Sequence, residues 1–437
     1  MTPTLPESRA SWIGRLPFYY GWVNVIVASL AMTATLPGRT HGLSLVTEPL
    51  LADLQMTDTL FAQINLAASL LGAAFCFPVG WAIDRFGSRV VITAVSLCLG
   101  AAVLGMAVVT GPWSLLAMLI LIRGFGQSAL SIVSMAIVGK WFQRRLGIAM
   151  GVYCVLLTMG FIGTVLGMGA AVKFYGWRTA WNSCGVILLT GLAPFAWLFA
   201  RDTPGRYGLA GDEGPASGTG TESPPVEASL AFALRSPAFW VFAFGTSMFN
   251  LVWSAITLFN ERILAEKGFD ADAAVQVMAI LTGVGLISNL ISGAVATRQN
   301  LGKLLGVGLA VLAIALGAFP QISSMVGLRM YALSMGLTGG IVMVVFFAAW
   351  RHLFGAGHLG RIQGAAQLIS VLASSLGPVV LAEWHHRQGS YGPVFQGLAA
   401  VVGFLALAAF VVPVPALDAI AAEMRLAPAL EADPLQE

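Results

Sequence analysis

Charged side chains are scarce in this sequence: only 10% of its 437 residues are Asp, Glu, Lys or Arg. Soluble domains carry about 25% of such residues, so this chain could not form the surface of a water-soluble globule. Hydrophobic residues make up 57% of the sequence, and the mean hydropathy is +0.83. Both values are typical of a protein embedded in a lipid bilayer. The net charge of +3 is too small to indicate a nucleic-acid partner.

Cysteine and histidine are also rare, with four and five residues respectively. The cysteines lie in apolar runs without the spacing of metal ligands, which predicts buried, reduced thiols at Cys76, Cys98, Cys154 and Cys184. The apolar runs hold neither a Gly-x-Ser-x-Gly sequence nor a cluster of His, Asp and Glu. We therefore expect no enzyme activity, no metal and no cofactor. The polar residues 1–16 are not typical of a cleaved signal, so the first apolar run should remain as an anchor.

Long apolar runs, in contrast, are abundant. A helix needs about 20 mostly apolar residues to cross the hydrocarbon core of a membrane. Twelve runs meet this requirement, six before a polar insert and six after it. We place them at 19–46, 58–82, 88–110, 113–139, 146–171, 178–200, 237–262, 272–297, 303–321, 325–350, 358–382 and 391–414.

The basic residues indicate the orientation, because cytoplasmic loops of membrane proteins are enriched in Lys and Arg. With the N-terminus inside, 15 of the 23 basic residues face the cytoplasm, 6 face outward and 2 lie within the membrane. Both termini are therefore expected in the cytoplasm, and the chain in the inner (plasma) membrane. The sequence predicts a cytoplasmic N-terminus at 1–18, a six-helix bundle at 19–200, a flexible cytoplasmic linker at 201–236, a second six-helix bundle at 237–414 and a cytoplasmic tail at 415–437.

A short polar turn follows the second apolar run. It begins at Gly80, continues through Asp84, Arg85 and Gly87, and ends at Arg89. Glycine lets two helices approach closely at a tight turn, and the charges can stabilise helix ends on the aqueous side. The alternative is an ordinary solvated turn without a role in transport.

The same turn recurs in the second half of the chain. The copy begins at Gly293, 213 positions after the first, and keeps Arg298. Thr297 replaces the acid, and an insertion displaces the next basic residue, so we expect a weaker charge contact in this copy. A repeat at matching places predicts a chain built by duplication.

The first turn resembles the signature loop of the major facilitator superfamily of transporters. The segments 18–22 and 354–364 resemble the oxalate/formate antiporter and monocarboxylate porter branch of that superfamily. The resemblance implies an all-α membrane protein with about twelve transmembrane helices in two pseudo-symmetric six-helix bundles, which move by alternating access. It also implies that residues of the two turns control this movement, namely Gly80, Asp84, Arg85, Gly87, Arg89 and Arg298.

Arginines within the membrane are costly and are therefore candidates for function. Arg123 lies about ten residues into the fourth run, too deep to reach water easily. It matches the arginine of a fourth-helix motif of the superfamily, a resemblance that implies substrate or proton handling. Gln127 lies one turn further on the same helical face and could share its hydrogen bonds. The alternative is a packing arginine that neighbouring backbone carbonyls satisfy.

A second arginine lies in the first run. The sequence from Leu36 to Gly42 contains Pro37 and two glycines, which predicts a break or kink in the helix. A broken helix offers free amides, and Arg39 would make the local field cationic. Arg39 could instead extend outward to water. His41 is either a buried structural histidine or a functional one beside Arg39.

No Asp or Glu lies near the middle of any apolar run. Transporters of cations generally need a buried carboxylate to balance the substrate charge, so a cavity with Arg39 and Arg123 should favour anions. The candidates in the second half are neutral: Asn250, Trp253 and Asn289. Each of these could instead be a packing residue between helices.

These observations predict a secondary active transporter of a small organic anion, a monocarboxylate or dicarboxylate, that works by proton symport or anion exchange. The predicted substrate site consists of Arg39, His41, Arg123, Gln127, Asn250, Trp253 and Asn289. The expected partners are the anion, protons in the symport scheme and the lipid bilayer, and the protein is expected to be a monomer. The alternatives are proton-coupled efflux of drugs or other lipophilic compounds on the same fold and, more distantly, a transporter-like sensor.

Overall fold

The structure is a computed structural model that describes residues 17–207, 209, 212 and 228–413. Helices account for nearly all of this part of the chain, and it contains no strand. Eleven of its helices are long and apolar enough to cross a membrane. The first helix, Gly21–Thr33, is apolar but shorter. The all-α membrane fold predicted from the sequence is therefore confirmed.

Twelve helical segments follow one another in two groups of six. We label them α1 (Gly21–Thr33), α2 (Asp58–Ala73, continued as Cys76–Phe86), α3 (Ser88–Met106), α4 (Pro112–Trp141), α5 (Leu146–Tyr175), α6 (Trp177–Phe199), α7 (Pro237–Glu266), α8 (Ala271–Val295), α9 (Leu301–Ala318), α10 (Met325–Phe354), α11 (Leu359–Gln388) and α12 (Gly392–Val411). Their number and order match the predicted runs.

Side chains at the helix starts explain where several of these helices begin, and apolar side chains on the outer faces explain why the helices are stable in a membrane. Thr57, Asp270 and Ser324 each accept a hydrogen bond from a backbone N–H in the first turn of α2, α8 and α10. Each bond satisfies a donor that has no partner within its helix. Large apolar side chains such as Phe404 and Leu407 on α12 are exposed on the outer surface. Such a surface is suited to lipid, while the polar backbone is satisfied within the helices.

The break predicted at Pro37 is confirmed. α1 ends at Thr33, and the chain continues as the 3-10 turn Leu36–Gly38 and the short helices Thr40–Ser44 and Thr47–Leu54. A Cβ on Gly38 would lie 2.6 Å from the carbonyl oxygen of a residue of α4. The broken segment therefore lies directly against α4.

The fourth helix contains a feature that the sequence did not predict. Its central stretch, Arg123–Leu130, is π-helical and lies between two α-helical parts. A π-helical turn is rare, and within α-helices it is frequently found at functional sites, because it moves the backbone and side chains out of their regular register. Arg123, predicted as the deepest charged residue, is the first residue of this stretch.

The two groups of helices touch at one end of the bundle, which carries the Asp84 turn and which we call the motif end; the opposite end is the far end. A Cβ on Gly80 of α2 would lie 2.6 Å from the carbonyl oxygen of Gly360 of α11. A Cβ on Gly293 of α8 would lie 2.7 Å from the carbonyl oxygen of Gly147 of α5. Further along α5, no described atom lies within 4 Å of a Cβ on Gly163. The halves therefore meet at the motif end and diverge toward the far end.

The predicted linker is ordered at both of its edges. The 3-10 turn Pro204–Tyr207 follows α6, and the short helix Leu230–Arg235 precedes α7. The N–H of Ala228 donates to the carbonyl of Phe354 at the end of α10 (2.9 Å). Apart from residues 209 and 212, the middle of the predicted linker lies outside the described residues, as do residues 1–16 and the predicted tail.

Candidate functional site

Arg123 lies deep inside the first half of the molecule. Its side chain is only 3% exposed. Nη1 donates to Gln127 Oε1 (2.9 Å) and to the carbonyl oxygen of Gly38 (3.3 Å), and Nη2 donates to Asn65 Oδ1 of α2. The bond to Gln127 confirms that these two side chains share hydrogen bonds. The bond to Gly38 shows that a backbone carbonyl also contributes to holding this guanidinium.

Arg39 lies in the break after α1, and its guanidinium turns toward α4. Nε donates to Thr35 Oγ1 (2.7 Å), and Nη2 donates to Met32 Sδ (3.2 Å) and to Ser131 Oγ (3.1 Å). The guanidinium carbon lies 5.5 Å from the ring centre of Phe161 on α5. No described residue accepts a hydrogen bond from Nη1, and the side chain is partly exposed. Arg39 therefore has a donor group that the described protein does not use.

The two arginines make this region cationic. Arg123 bonds the carbonyl of Gly38, the residue directly before Arg39 in the chain. No carboxylate of a described residue forms an ion pair with either of them. Their partners are instead amide, hydroxyl, thioether and carbonyl groups, which accept hydrogen bonds without neutralising the charge. In a region of low dielectric constant, such uncompensated positive charge attracts an anion strongly.

Polar side chains of the second half approach this region from α11 and α7. Gln367 Nε2 donates to the backbone carbonyl of Gln127 within the π-helical stretch (3.3 Å). One turn along α11, Ser370 Oγ accepts a hydrogen bond from Asn250 Nδ2 of α7 (2.7 Å). Trp253, one turn after Asn250, stacks on a phenylalanine of its own helix. Asn250 and Arg123 thus belong to one polar path that crosses between the halves.

Two predicted site residues are not part of this path. Asn289 is 2% exposed and lies at the contact of α8 with α5, where its carbonyl oxygen would be 3.1 Å from a Cβ on Gly151. Its Oδ1 atom has no hydrogen-bond partner among the described residues. His41 is part of a short helix, but its side chain lies outside those that the structure describes.

The sequence reasoning missed four residues of the arginine cluster, namely Met32, Thr35, Asn65 and Ser131. Asn65 and Ser131 each bond one of the arginines. Asn65 is a polar residue within an apolar run, and that signal could have marked it. Ser131 carries no such signal, because serine in a membrane helix commonly bonds its own backbone.

Asp84 forms the main polar contact between the halves at the motif end. Its carboxylate accepts the backbone N–H groups of Gly360 (3.1 Å) and Arg361 (3.2 Å) at the start of α11. Lys140 Nζ and Arg361 Nε lie 4.0 Å and 3.8 Å from its oxygens. A carboxylate at a helix N-terminus satisfies free N–H groups and interacts favourably with the helix dipole. Asp84 therefore holds α2 and α11 together.

Two further residues of the first turn, Gly87 and Arg89, contact their own half. Arg89 Nε donates to the carbonyl of Trp197 (2.8 Å), and its guanidinium lies 4.4 Å from that indole ring. The N–H of Arg89 donates to Asp202 Oδ1 (2.9 Å). Gly87 has a φ of 88°, which favours glycine, and it lies against Asp202. Arg85 is exposed.

Among the residues that the structure describes, the second turn shows no equivalent of the Asp84 contact. The N–H of Thr297 is bonded within its own turn, by Asn300 Oδ1 (2.7 Å). Arg298 is partly buried there, and burial lowers the pKa of its guanidinium from the ordinary value. The close approach of Gly293 to Gly147 nevertheless remains. In this copy, no carboxylate of a described residue bonds one helix to the other as Asp84 does.

A carboxylate of the predicted linker occupies the turn before α5. Asp212 accepts the backbone N–H groups of Gln143 (2.9 Å), Arg144 (3.2 Å) and Arg145 (2.7 Å). Arg351 of α10 donates to Gln143 Oε1 (2.7 Å). Asp212 therefore stabilises a turn that itself links the two halves.

Among the described residues, no three His, Cys, Asp or Glu side chains come together as a metal site would require. The cluster around Arg39 and Arg123 offers positive charge and hydrogen-bond donors.

Comparison with known proteins identifies the family. Residues 21–378 match the sequence model described as Major Facilitator Superfamily. The probable nitrate/nitrite transporter NarK2 of Mycobacterium tuberculosis (strain ATCC 25618 / H37Rv) is 25% identical over 372 residues, which cover 82% of this chain and 86% of that protein. The multidrug resistance protein B homolog of the same strain is 30% identical over 158 residues, or 35% of this chain and 28% of that protein.

Two solved structures share the fold. The human organic anion transporter MFSD10 (TETRAN) has a TM-score of 0.64 and 15% identity, with 92% of this chain and 100% of that chain covered. The proton:xylose symporter XylE bound to 6-bromo-6-deoxy-D-glucose has a TM-score of 0.67 and 14% identity, with coverages of 93% and 99%. The chain belongs to the major facilitator superfamily: it is a secondary transporter and not an enzyme.

Proposed function

We propose that this transporter carries a small organic anion, a monocarboxylate or a dicarboxylate, by alternating access. The proposal depends on one observation: Nη1 of Arg39 has no partner among the described residues, and a second cation, Arg123, bonds the carbonyl of the preceding residue, Gly38. A carboxylate oxygen can accept a charge-assisted hydrogen bond from Nη1. Its negative charge would also reduce the repulsion between the two arginines.

The other predicted site residues have proposed roles around this pair. Arg123, held by Gln127, supplies charge from a fixed position. Asn250 and Trp253 contact the remainder of the anion from the second half. Asn250 bonds Ser370 of α11, which lies one turn from Gln367, the residue of α11 that bonds α4. Two coupling schemes fit this arrangement. In symport, His41 or the carboxylate itself carries the proton; in exchange, a second anion replaces the first and no proton is needed.

The proposed orientation places the motif end in the cytoplasm. Tyr20 Oη donates to the carbonyl of Phe199 at the end of α6 (2.8 Å). The first described residues therefore lie at the motif end. The last described residues follow α12. The end of α12 contacts the start of α9, where a Cβ on Gly302 would lie 2.8 Å from the carbonyl oxygen of Ala409, so these residues also lie at the motif end. The distribution of basic residues supports this end as cytoplasmic. The structure then corresponds to a state closed to the cytoplasm, in a monomer in the plasma membrane.

Nitrate and nitrite form a second candidate class of substrate. The similarity to NarK2 favours them. Both are small oxyanions with a single charge, so they can accept the same hydrogen bonds from Arg39 as a carboxylate does. They differ from organic anions in having no carbon chain, and contacts with Trp253 would therefore contribute nothing to their binding.

Efflux of drugs or other lipophilic compounds is the remaining alternative, and the partial similarity to a multidrug resistance protein supports it. A lipophilic cation at this site would be close to the positive charges of Arg39 and Arg123. Among the described residues, no carboxylate forms an ion pair with either arginine. Charge repulsion therefore disfavours this class.

Thermal stability of the purified protein in detergent tests the proposal. A ligand that binds the folded state stabilises it and therefore raises the Tm. At a ligand concentration one hundred times the Kd, the free energy of unfolding increases by about 2.7 kcal/mol. We expect a rise in Tm with small carboxylates and no rise with sugars, amino acids without net negative charge, or lipophilic cations. Nitrate and nitrite are included as separate arms, and chloride at equal ionic strength serves as the salt control.

The variant Arg39→Gln tests whether the rise in Tm comes from this site. It removes the positive charge of the guanidinium group and its unbonded Nη1 while keeping a polar side chain. We expect it to abolish most of the carboxylate-induced shift. Arg329→Gln, at an exposed position in the first turns of α10, is the matched control and should keep the shift. A shift only with nitrate and nitrite would favour the second class, and a shift only with lipophilic cations would contradict the anion site.

A further inference from the structure

Gln363 of α11 is a buried polar residue that the arginine site does not use. Its side chain is 0% exposed. Neither its Nε2 nor its Oε1 atom has a hydrogen-bond partner among the described residues. An amide removed from water without any partner loses hydrogen bonds and gains none, which makes this position unfavourable. Stability of this conformation therefore does not explain why position 363 carries a glutamine.

The position of Gln363 follows from two contacts on either side of it. α4 and α11 run antiparallel across the boundary between the halves: Gly139 lies against Leu359, and Gln127 accepts from Gln367. Gln363 is four residues from both Leu359 and Gln367 and therefore lies on the same helical face. It is thus enclosed between α11 and α4, one turn closer to the motif end than the polar path at Gln367.

The internal repeat shows that packing alone does not need an amide here. The glycine pairs Gly80 and Gly293, and Gly147 and Gly360, are each separated by 213 positions. The same offset relates Gln363 to Met150 of α5, which is also 0% exposed. An apolar methionine fills the corresponding position in the first half. The glutamine at 363 is therefore specific to the second half.

We infer that Gln363 contacts the transported anion in the state that is open at the motif end. When α11 separates from α4, the amide becomes accessible from the motif side, and its Nε2 donates a hydrogen bond to the anion on its way from the arginines. The same separation ends the burial of an unpaired amide, so Gln363 also makes opening of the motif end more favourable. This role rests on the proposed function, since it takes the substrate to be an anion.

The variant Gln363→Met tests this role, because the repeat shows that methionine fits the corresponding site. In proteoliposomes of known orientation, we expect the KM for anion presented from the motif side to rise on the order of three- to tenfold, as for the loss of one hydrogen bond. The KM from the far side should stay unchanged. Met150→Leu, an apolar change at the corresponding position, is the matched control and should alter neither value.

Accessibility of Cys76 gives a readout that needs no substrate. Cys76 is 0% exposed at the contact of α2 with α11, where its carbonyl oxygen would lie 2.7 Å from a Cβ on Gly364. With the other three cysteines replaced, its labelling by a maleimide from the motif side reports opening. Gln363→Met should lower the labelling rate several-fold relative to the same background with Gln363.

The outcomes separate this inference from the proposed function. Equal KM changes on both sides, or unchanged KM values with an unchanged labelling rate, would overturn the role of Gln363 while anion transport stands. A protein with Gln363 intact that moves no carboxylate, nitrate or nitrite would overturn the proposed function itself, whatever the labelling rate shows.

Discussion

At the scale of single residues, the two arginines of the cluster differ in how far the protein satisfies them. Arg123 is almost fully buried and bonds three acceptors from three segments of the chain. Arg39 is partly exposed and keeps Nη1 unbonded by any described residue. The first therefore suits a fixed charge that organises the site, and the second suits direct contact with an anion.

This difference predicts that Arg123 does not tolerate lysine. Lysine keeps the charge but cannot reproduce the planar fork that reaches Gln127, Gly38 and Asn65 together. We expect Arg123→Lys to lower anion uptake about tenfold or more, because at least one buried acceptor loses its partner. Arg123→Ala should abolish uptake. Uptake in proteoliposomes, normalised to monodisperse protein, measures both variants.

Arg39→Lys is the comparison for this prediction. Arg39 makes three hydrogen bonds, as Arg123 does, but its side chain is partly exposed, so water can replace a lost contact and a point charge should retain a larger share of uptake than at position 123. Normal uptake by Arg123→Ala would remove Arg123 from the site. Equal losses in the two lysine variants would contradict the division of roles between the arginines.

Residue contacts were predictable only where they are local in sequence. The bond between Arg123 and Gln127 follows from their spacing of four residues on one helix. The bond between Arg123 and Asn65 joins residues 58 positions apart. It depends on how α2 is rotated against α4, and a run that is apolar on every side does not indicate which of its faces turns toward a neighbouring helix.

At the scale of elements, the first helix was predictable and the fourth was not. Proline and glycine act on the local backbone, so the break near Pro37 could be derived from the sequence alone. The π-helical stretch Arg123–Leu130 contains no proline. Its register depends on tertiary contacts, including the Gly38 carbonyl that bonds Arg123 and the Gln367 amide that bonds Gln127.

The contact between α2 and α11 predicts the effect of neutralising Asp84. Asp84→Asn keeps the shape of the side chain but has a single acceptor oxygen, so it can keep only one of the two bonds from Gly360 and Arg361, as a neutral bond, and loses the other. Hydrogen bonds to charged groups contribute about 1.5–3 kcal/mol, against about 1 kcal/mol for neutral ones. Loss of one charge-assisted bond alone corresponds to about a ten- to hundredfold change, so we expect the motif end to open more often, with labelling of Cys76 about tenfold faster or more.

Arg85→Gln is the control for this element, because Arg85 belongs to the same turn but is exposed. Its labelling rate should match that of the protein with Arg85. If Asp84→Asn leaves the accessibility of Cys76 unchanged, the carboxylate does not govern closure of the motif end, and the glycine contacts alone must do so.

At the scale of the whole molecule, the duplication appears as two equivalent contacts between the halves. Gly80 meets Gly360, and Gly293 meets Gly147, so each repeat of the turn contacts the repeat-related glycine of the other half. The sequence showed which positions correspond to each other. It did not show that corresponding positions touch across the boundary, because an offset of 213 residues carries no information on how the halves pack.

The two contacts are equivalent in their glycines but not in their charges. Asp84 contributes a carboxylate to the first, whereas Thr297 in the second is bonded within its own turn. Asp212 of the predicted linker instead caps the turn before α5. The second contact therefore depends on close helix packing and on a segment outside both repeats, which the repeat alone could not predict.

This symmetry predicts that a single methyl group at either contact opens the motif end. A Cβ on Gly360 would lie 2.6 Å from the carbonyl oxygen of Gly80, too close for any packed atom pair, so Gly360→Ala must push α11 away from α2. Gly147→Ala should act in the same way on α5 and α8. We expect each variant to raise labelling of Cys76 and to lower anion uptake, and the double variant to do both more strongly.

Gly163→Ala is the matched control, since the helix is again α5 but no described atom lies within 4 Å of the added carbon. It should leave Cys76 labelling unchanged. If Gly147→Ala also leaves it unchanged while Gly360→Ala raises it, the two contacts open independently, and the halves do not move as rigid bodies. If both alanine variants at the contacts raise it equally, one rigid rotation about the centre of the bundle opens both contacts at once.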